Sequence, residues 1–191
     1  MPATDDAEMP ASWAWPAPRC VGRRSNLLAH GFPPIATPRA TRLILGSMPG
    51  AESLRAGQYY AHPRNAFWRI MGELFGADPS LSYAARAGTL SAAGIAVWDV
   101  IASCARPGSL DAHIERASVT PNDFASFLAT HQSITHVYFN GAVAEQLFMR
   151  LALPTVDPCA LEFRRLPSTS PAHASVDFER KLAAWSIIRR C

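Results

Sequence analysis

Four side chains able to do chemistry crowd into "YYAHPRN", Tyr59 to Asn65. The tyrosines offer flat faces for stacking, and the Asn65 carboxamide both donates and accepts hydrogen bonds. His62 brings an imidazole, and the proline after it restricts its backbone to extended geometry. Just upstream, "GSMPG" (46–50) has glycines that let backbone N–H groups approach a ligand closely. Each residue has a plainer use on its own: tyrosine as a core edge, histidine in a structural bond, asparagine as a helix N-cap. Their clustering after a strand end points instead to a binding site. The glycine loop lacks both the Gly-Lys-Ser/Thr ending of a phosphate loop and the G-x-G-x-x-G dinucleotide fingerprint.

The elements needed to hold such a site are legible around it. "TRLILGS" (41–47) reads as a buried strand. "NAFWRIMGELFG" reads as a helix N-capped by Asn65 and ended near Gly76, with Phe67, Ile70, Met71 and Leu74 at helical spacing. "SLSYAARAGTLSAAG" is a second helical stretch stopped at Gly94, and "IAVWDVI" (95–101) the next strand. In "TPNDFASFLATH", Thr120 is expected as N-cap with Pro121 at the first helical position. "ITHVYFN" (134–140) is a third strand, "GAVAEQLFMRL" a helix, "LEFRRLPS" (161–168) a shorter fourth strand, and "DFERKLAAWSIIRR" a closing amphipathic helix. This alternation implies an α/β domain with a parallel sheet covered on both faces. Ligands of such folds bind beyond the carboxyl ends of the strands. Here those ends carry "GSMPG", "DVIASC", "FNG" and "PSTSPAHAS".

At 191 residues the chain suits a single domain, expected over 26–191. Residues 1–25, rich in proline and alanine, read as a disordered extension. "GFPPIATP" then reads as an extended lead-in pinned by Phe32 and Ile35. No apolar run reaches the ~18 residues of a membrane span, and the acidic start "MPATDDAEMP" lacks an apolar signal region. The expectation is a cytoplasmic monomer without a membrane partner. Cys20, Cys104, Cys159 and Cys191 are far apart, with no C-x-x-C pair, so reduced thiols are expected, with no metal and no cofactor. Net charge is only +3, yet the cations are 17 arginines and one lysine. Arginine binds phosphate bidentately and stacks on bases, which permits nucleic acid as a partner, although codon bias gives the same count.

The stretch "GSMPG…QYYAHPRNAFW" resembles the first motif region of the uracil-DNA glycosylase superfamily. The similarity extends to the mismatch-specific branch and, closer still, to the hypoxanthine-DNA (deoxyinosine) glycosylase branch. "LPSTSPAHAS" resembles the superfamily's second motif, a loop that pinches the DNA backbone and wedges into the base stack. "VWDVIASCARPGSL" and "FNGAVAEQLF" resemble the intervening strand ends, so the likeness covers about residues 30 to 190. It implies a three-layer α/β/α sandwich around a four-stranded parallel sheet of order 2-1-3-4.

The resemblance also implies roles. Asn65, with His62, falls where the deoxyinosine branch places catalysis. Ser47, Met48, Tyr60, Asp99 and Asn140 would line the base pocket: Tyr60 by stacking, Asp99 by reading the base edge or else capping its loop, and Asn140 chiefly by holding its turn. Ser168 and Ser170 suit phosphate, and Ala172 or His173 would fill the gap left in the stack. Met48 stands where the mismatch-specific branch carries a water-positioning asparagine, and a thioether cannot orient water. The implied function is a hydrolytic DNA glycosylase for deaminated bases, hypoxanthine or uracil, without a covalent intermediate. A uracil/thymine mismatch enzyme, an inactive DNA-damage binding module (which Met48 would suit) and a small-molecule α/β enzyme are the alternatives.

Overall fold

A computed structural model describes residues 28–106 and 113–190, and puts the strand read from "RLILG" in the interior of the main sheet. Seven strands are described: β1 Leu28–His30, β2 Arg42–Gly46, β3 Ile95–Asp99, β4 Ile101–Ala105, β5 Thr120–Pro121, β6 His136–Asn140 and β7 Glu162–Leu166. The described α-helices are α1 Ala51–Ala56, α2 Phe67–Phe75, α3 Tyr83–Ala92, α4 Phe124–Thr130, α5 Ala142–Leu151 and α6 Phe178–Trp185. The expected extension of residues 1–25 lies outside the described residues.

The main sheet is wholly parallel, ordered β3-β2-β6-β7, which is the expected 2-1-3-4 when its four strands are counted alone. Its interior strands read as near-continuous apolar runs because both faces are covered. Leu43, Ile44 and Leu45 of β2, and Val137 and Phe139 of β6, are fully buried. Helices α2, α3 and α6 form one covering layer, with Phe67 edge-on to Trp185. Helices α4 and α5 form the other through Phe124 and Phe148. The result is the three-layer α/β/α sandwich. Both edges of the sheet are blunted. Ile35 exchanges backbone bonds of 2.8 and 2.9 Å with Val97 along β3, as the lead-in reading anticipated. On β7 the exposed Glu162, Arg164 and Arg165 present charge instead.

Three boundaries differ from the sequence reading. The run "IAVWDVI" breaks after Asp99, and β4 leaves to form a small antiparallel sheet, β1-β4-β5. The break is held by Val100 and Ile101 N–H groups donating to the Gly46 and Ser47 carbonyls at 2.9 and 3.0 Å. Thr120 and Pro121 do not start a helix; they form β5, an edge strand where proline's missing donor costs nothing. Helix α4 begins after Asp123, whose carboxylate accepts from Ser126 N–H at 3.0 Å and outcompetes the Thr-Pro signal. Helix α2 has Ala66 as its N-cap residue, one beyond Asn65. The Asn65 side chain still caps, accepting from Phe67 N–H at 3.0 Å. Gly76 ends α2 at φ +78, as expected. Among the described residues no helix is long and apolar enough to cross a membrane.

Candidate functional site

The carboxyl ends of β2, β3, β6 and β7 open into one cavity of about 530 Å³. Ser47, Met48, Tyr60, His62, Asn65, Asp99, Asn140, Ser168, Ser170 and Ala172 all line it. Of the residues picked from the sequence, His173 alone does not.

The floor is built where β2 meets β3. Gly46 faces Asp99 in parallel register, and the absence of its side chain decides what fits there. A Cβ at Gly46 would collide with Asp99 Oδ1 and sit 3.0 Å from Tyr60 Oη. Asp99 is 3 % exposed, and its backbone carbonyl accepts from Asn122 Nδ2 at 2.8 Å, so the strand end is fixed from behind. Burial first, then the Asp99 charge, pushes the neighbouring Tyr59 phenol far above its ordinary range. Tyr59 is therefore a fixed donor, to the Phe32 and Pro33 carbonyls at 3.2 and 3.3 Å.

Tyr60 is the one described non-glycine residue with positive φ, +55°. That conformation costs ~1–3 kcal/mol and is found mostly where a site imposes it. Its ring lies stacked on Phe67 at 3.9 Å, so α2 backs a flat aromatic wall. Short helix α1, which the sequence reading left unassigned, helps hold this segment: Ser53 Oγ accepts from Ala61 N–H at 3.1 Å.

The hydrogen bonds around His62 and Asn65 fix what each offers the cavity. His62 Nδ1 accepts from Arg64 N–H at 3.1 Å, which puts the proton of the neutral ring on Nε2. Asn65 Oδ1 accepts from Phe67 N–H, so its NH2 is the end left to donate. Both residues thus present N–H donors, and Asp99 presents acceptors.

Asn140 turns its amide to the second loop. Its Nδ2 donates to Thr169 Oγ1 at 2.9 Å, and its Oδ1 accepts from Thr169 N–H at 2.8 Å. The hydroxyls of Ser168 and Ser170 accept from the Ser170 and Ala172 N–H groups, both at 3.2 Å. These bonds shape the loop and leave each O–H proton to donate outward. Arg64 is exposed at the rim. His173 is tied backwards, its carbonyl accepting from Lys181 Nζ at 2.8 Å. Met48, 6 % exposed, packs in an apolar cluster with Ile101 and Cys104. Thr169 was missed in the sequence, because Ser168, Thr169 and Ser170 are all hydroxyl residues and nothing in the pattern marks the middle one as buried.

Cys104 is buried and Cys159 exposed, while Cys20 and Cys191 lie outside the described residues. Among the described residues no three metal-ligating side chains converge.

A family model described as "Uracil DNA glycosylase superfamily" matches residues 33–189. A hypoxanthine DNA glycosylase of Methanosarcina acetivorans is 31% identical over 165 residues, 86% of this chain and 99% of that protein. One from Methanosarcina barkeri is 38% identical over 113 residues, 59% of this chain and 70% of that protein. The solution NMR structure of a candidate uracil DNA glycosylase from Methanosarcina acetivorans superposes with a TM-score of 0.71 at 30% identity. It spans 86% of this chain and 98% of that one. Motifs, sheet order and similarity agree: the chain belongs to the uracil DNA glycosylase superfamily.

Proposed function

We propose that the chain is a monofunctional DNA glycosylase that flips deaminated bases, hypoxanthine foremost, into this cavity and hydrolyses their N-glycosidic bond. The observation that carries the reading is the split polarity of the cavity, with a carboxylate at the floor and two N–H donors beside it. Deamination converts N1 of adenine, and N3 of cytosine, from a bare acceptor into an N–H. An Asp99 oxygen can accept from that new N–H and repels the lone pair of the undamaged base. Guanine presents the same N–H, and its exclusion would rest on the cost of unpairing it from cytosine. The two relatives named for hypoxanthine support placing that base first.

In the reaction, the bond between base and C1′ breaks with its electron pair on the base. Asn65 Nδ2–H and His62 Nε2–H stabilise the charge developing there, a donor of this kind contributing about 3 kcal/mol. Backbone N–H groups around Ser47 and Tyr60 add to that field. Water then adds to C1′, and its proton ends on the departed base. No enzyme nucleophile is required. The single lysine of the chain, Lys181, spends its Nζ on the His173 carbonyl, which argues against a Schiff-base lyase step. Ser168, Ser170 and Arg64 would meet the flanking phosphates, with Ala172 towards the vacated stack.

The test is an excision assay on single- and double-stranded oligonucleotides carrying deoxyinosine, uracil, xanthine or a mismatched thymine. Cleavage of deoxyinosine strands after alkali is expected, with uracil slower. Preference for the thymine mismatch would favour the mismatch enzyme, and tight lesion binding without excision the inactive module.

Stacking gives a separate prediction. Tyr60→Ala should weaken capture of the flipped base by ~1–3 kcal/mol, and Tyr60→Phe should be mild, because the ring does the stacking. Equal damage from the two, measured as affinity for a lesion-bearing duplex, would assign the work to the phenol.

A further inference from the structure

The two loops that would meet DNA are joined through one buried residue. Thr169 is 1 % exposed and bonds in three directions. Its hydroxyl oxygen accepts from Asn140 Nδ2, and its N–H donates to Asn140 Oδ1. Its carbonyl accepts from Ala66 N–H at 3.0 Å. Ala66 follows Asn65 directly, and its N–H is one of the orphan donors at the start of α2. The ends of the second loop are gripped elsewhere: Trp185 Nε1 donates to the Pro167 carbonyl at 2.9 Å, and Lys181 Nζ holds His173. Close approach of the β6–α5 turn completes the joint. Gly141 has φ +97, and a Cβ there would lie 2.9 Å from Ser168 Cβ.

We propose that Thr169 is a positioning residue that registers the Asn65 amide against the DNA-contacting loop; this rests on the catalytic reading of Asn65 given above. Asn140 then serves the site as the clamp on Thr169. Without Oγ1, Asn140 Nδ2 loses its acceptor beside the cavity and Asn140 keeps only its bond from the Thr169 N–H, so the Thr169 carbonyl is held less firmly over Ala66. The loop keeps its two end anchors, so its phosphate contacts survive. The damage should fall on the chemical step, since small misplacement of a catalytic group is costly there.

Thr169→Val in the full chain should slow single-turnover excision of hypoxanthine at least about tenfold. Affinity for the deoxyinosine duplex should stay within about threefold, and Thr169→Ser should retain the rate within about threefold. In an Asn65→Ala background, Thr169→Val should cost nothing further, because the residue it positions is gone. A readout independent of activity is the 15N side-chain amide signal of Asn65, assigned by its loss in Asn65→Ala. It should shift or broaden in Thr169→Val and stay in place in Thr169→Ser. Thr169→Ala carries the same readouts if the valine variant fails to fold. Wild-type rates in Thr169→Val, equal slowing with and without Asn65, or an unmoved Asn65 signal would each overturn the proposal. If the wild-type chain excises nothing, the catalytic reading fails, while the amide signal still decides the positioning.

Discussion

Replacing Asn65 by aspartate should lower single-turnover excision by at least ~100-fold, the scale of losing one well-placed polar catalytic group, with DNA affinity nearly unchanged. The choice of aspartate follows from the hydrogen bonds. Asn65 Oδ1 already accepts from Phe67 N–H, and an aspartate oxygen can take over that cap. What aspartate cannot supply is the NH2 pointing at the cavity. Asn65→Ala removes the cap and the donor together and should be at least as slow. If aspartate excised like the wild type while alanine did not, capping of α2 would be the whole contribution of Asn65. Met48 sharpens the expectation, because its thioether is packed with Ile101 and Cys104 and offers no donor in Asn65's stead.

The second large effect is expected from Gly46→Ala. The added methyl would collide with Asp99 Oδ1 and crowd Tyr60 Oη at the cavity floor. Both groups belong to the proposed base pocket, so one substitution displaces the base-edge acceptor and the stacking ring together. Displacement of about 1 Å in such a site can cost ~100-fold, and a loss of that order in kcat/KM is expected. Far-ultraviolet circular dichroism separates a local defect from loss of the fold. A folded Gly46→Ala protein that excises hypoxanthine at the normal rate would show that the base does not reach this floor.

The sheet was legible because β2, β3 and β6 each carry a continuous apolar run that ends in glycine or polar residues. "RLILG" and "VYFNG" announce both a strand and the loop beyond it. The strand order came from resemblance, since nothing in a single strand's composition says which neighbour it takes. The break after Asp99 was hidden because Val100 and Ile101 are as strand-like as what precedes them. Only backbone bonds to Gly46 and Ser47 reveal the change of sheet. The start of α4 was misplaced because Thr-Pro is a sound local signal, and Asp123 with Ser126 supplied a stronger cap three residues later.

Of the site, the aromatic and polar cluster at 59–65 and the loop at 168–172 could be read directly. The division of labour within it could not. That Asn65 and His62 are both donors depends on which backbone N–H each one caps, Phe67 and Arg64 respectively. That Asn140 serves Thr169 depends on the approach of two loops 29 residues apart in the chain. The first is set by the local backbone conformation and the second by tertiary contact, and periodicity carries neither. The residue left out of the cavity, His173, has its carbonyl held by Lys181.

The most direct test of the account is the product itself. The chain, in excess over an oligonucleotide holding a single deoxyinosine, is allowed one turnover, and the released small molecule is identified by mass spectrometry. Free hypoxanthine is predicted, together with a full-length strand that breaks only on treatment with alkali and no adduct trapped by borohydride. Absence of any free base from deoxyinosine or uracil DNA, in a folded protein whose weak DNA binding is insensitive to salt, would contradict it and point to a small-molecule substrate for the same crevice.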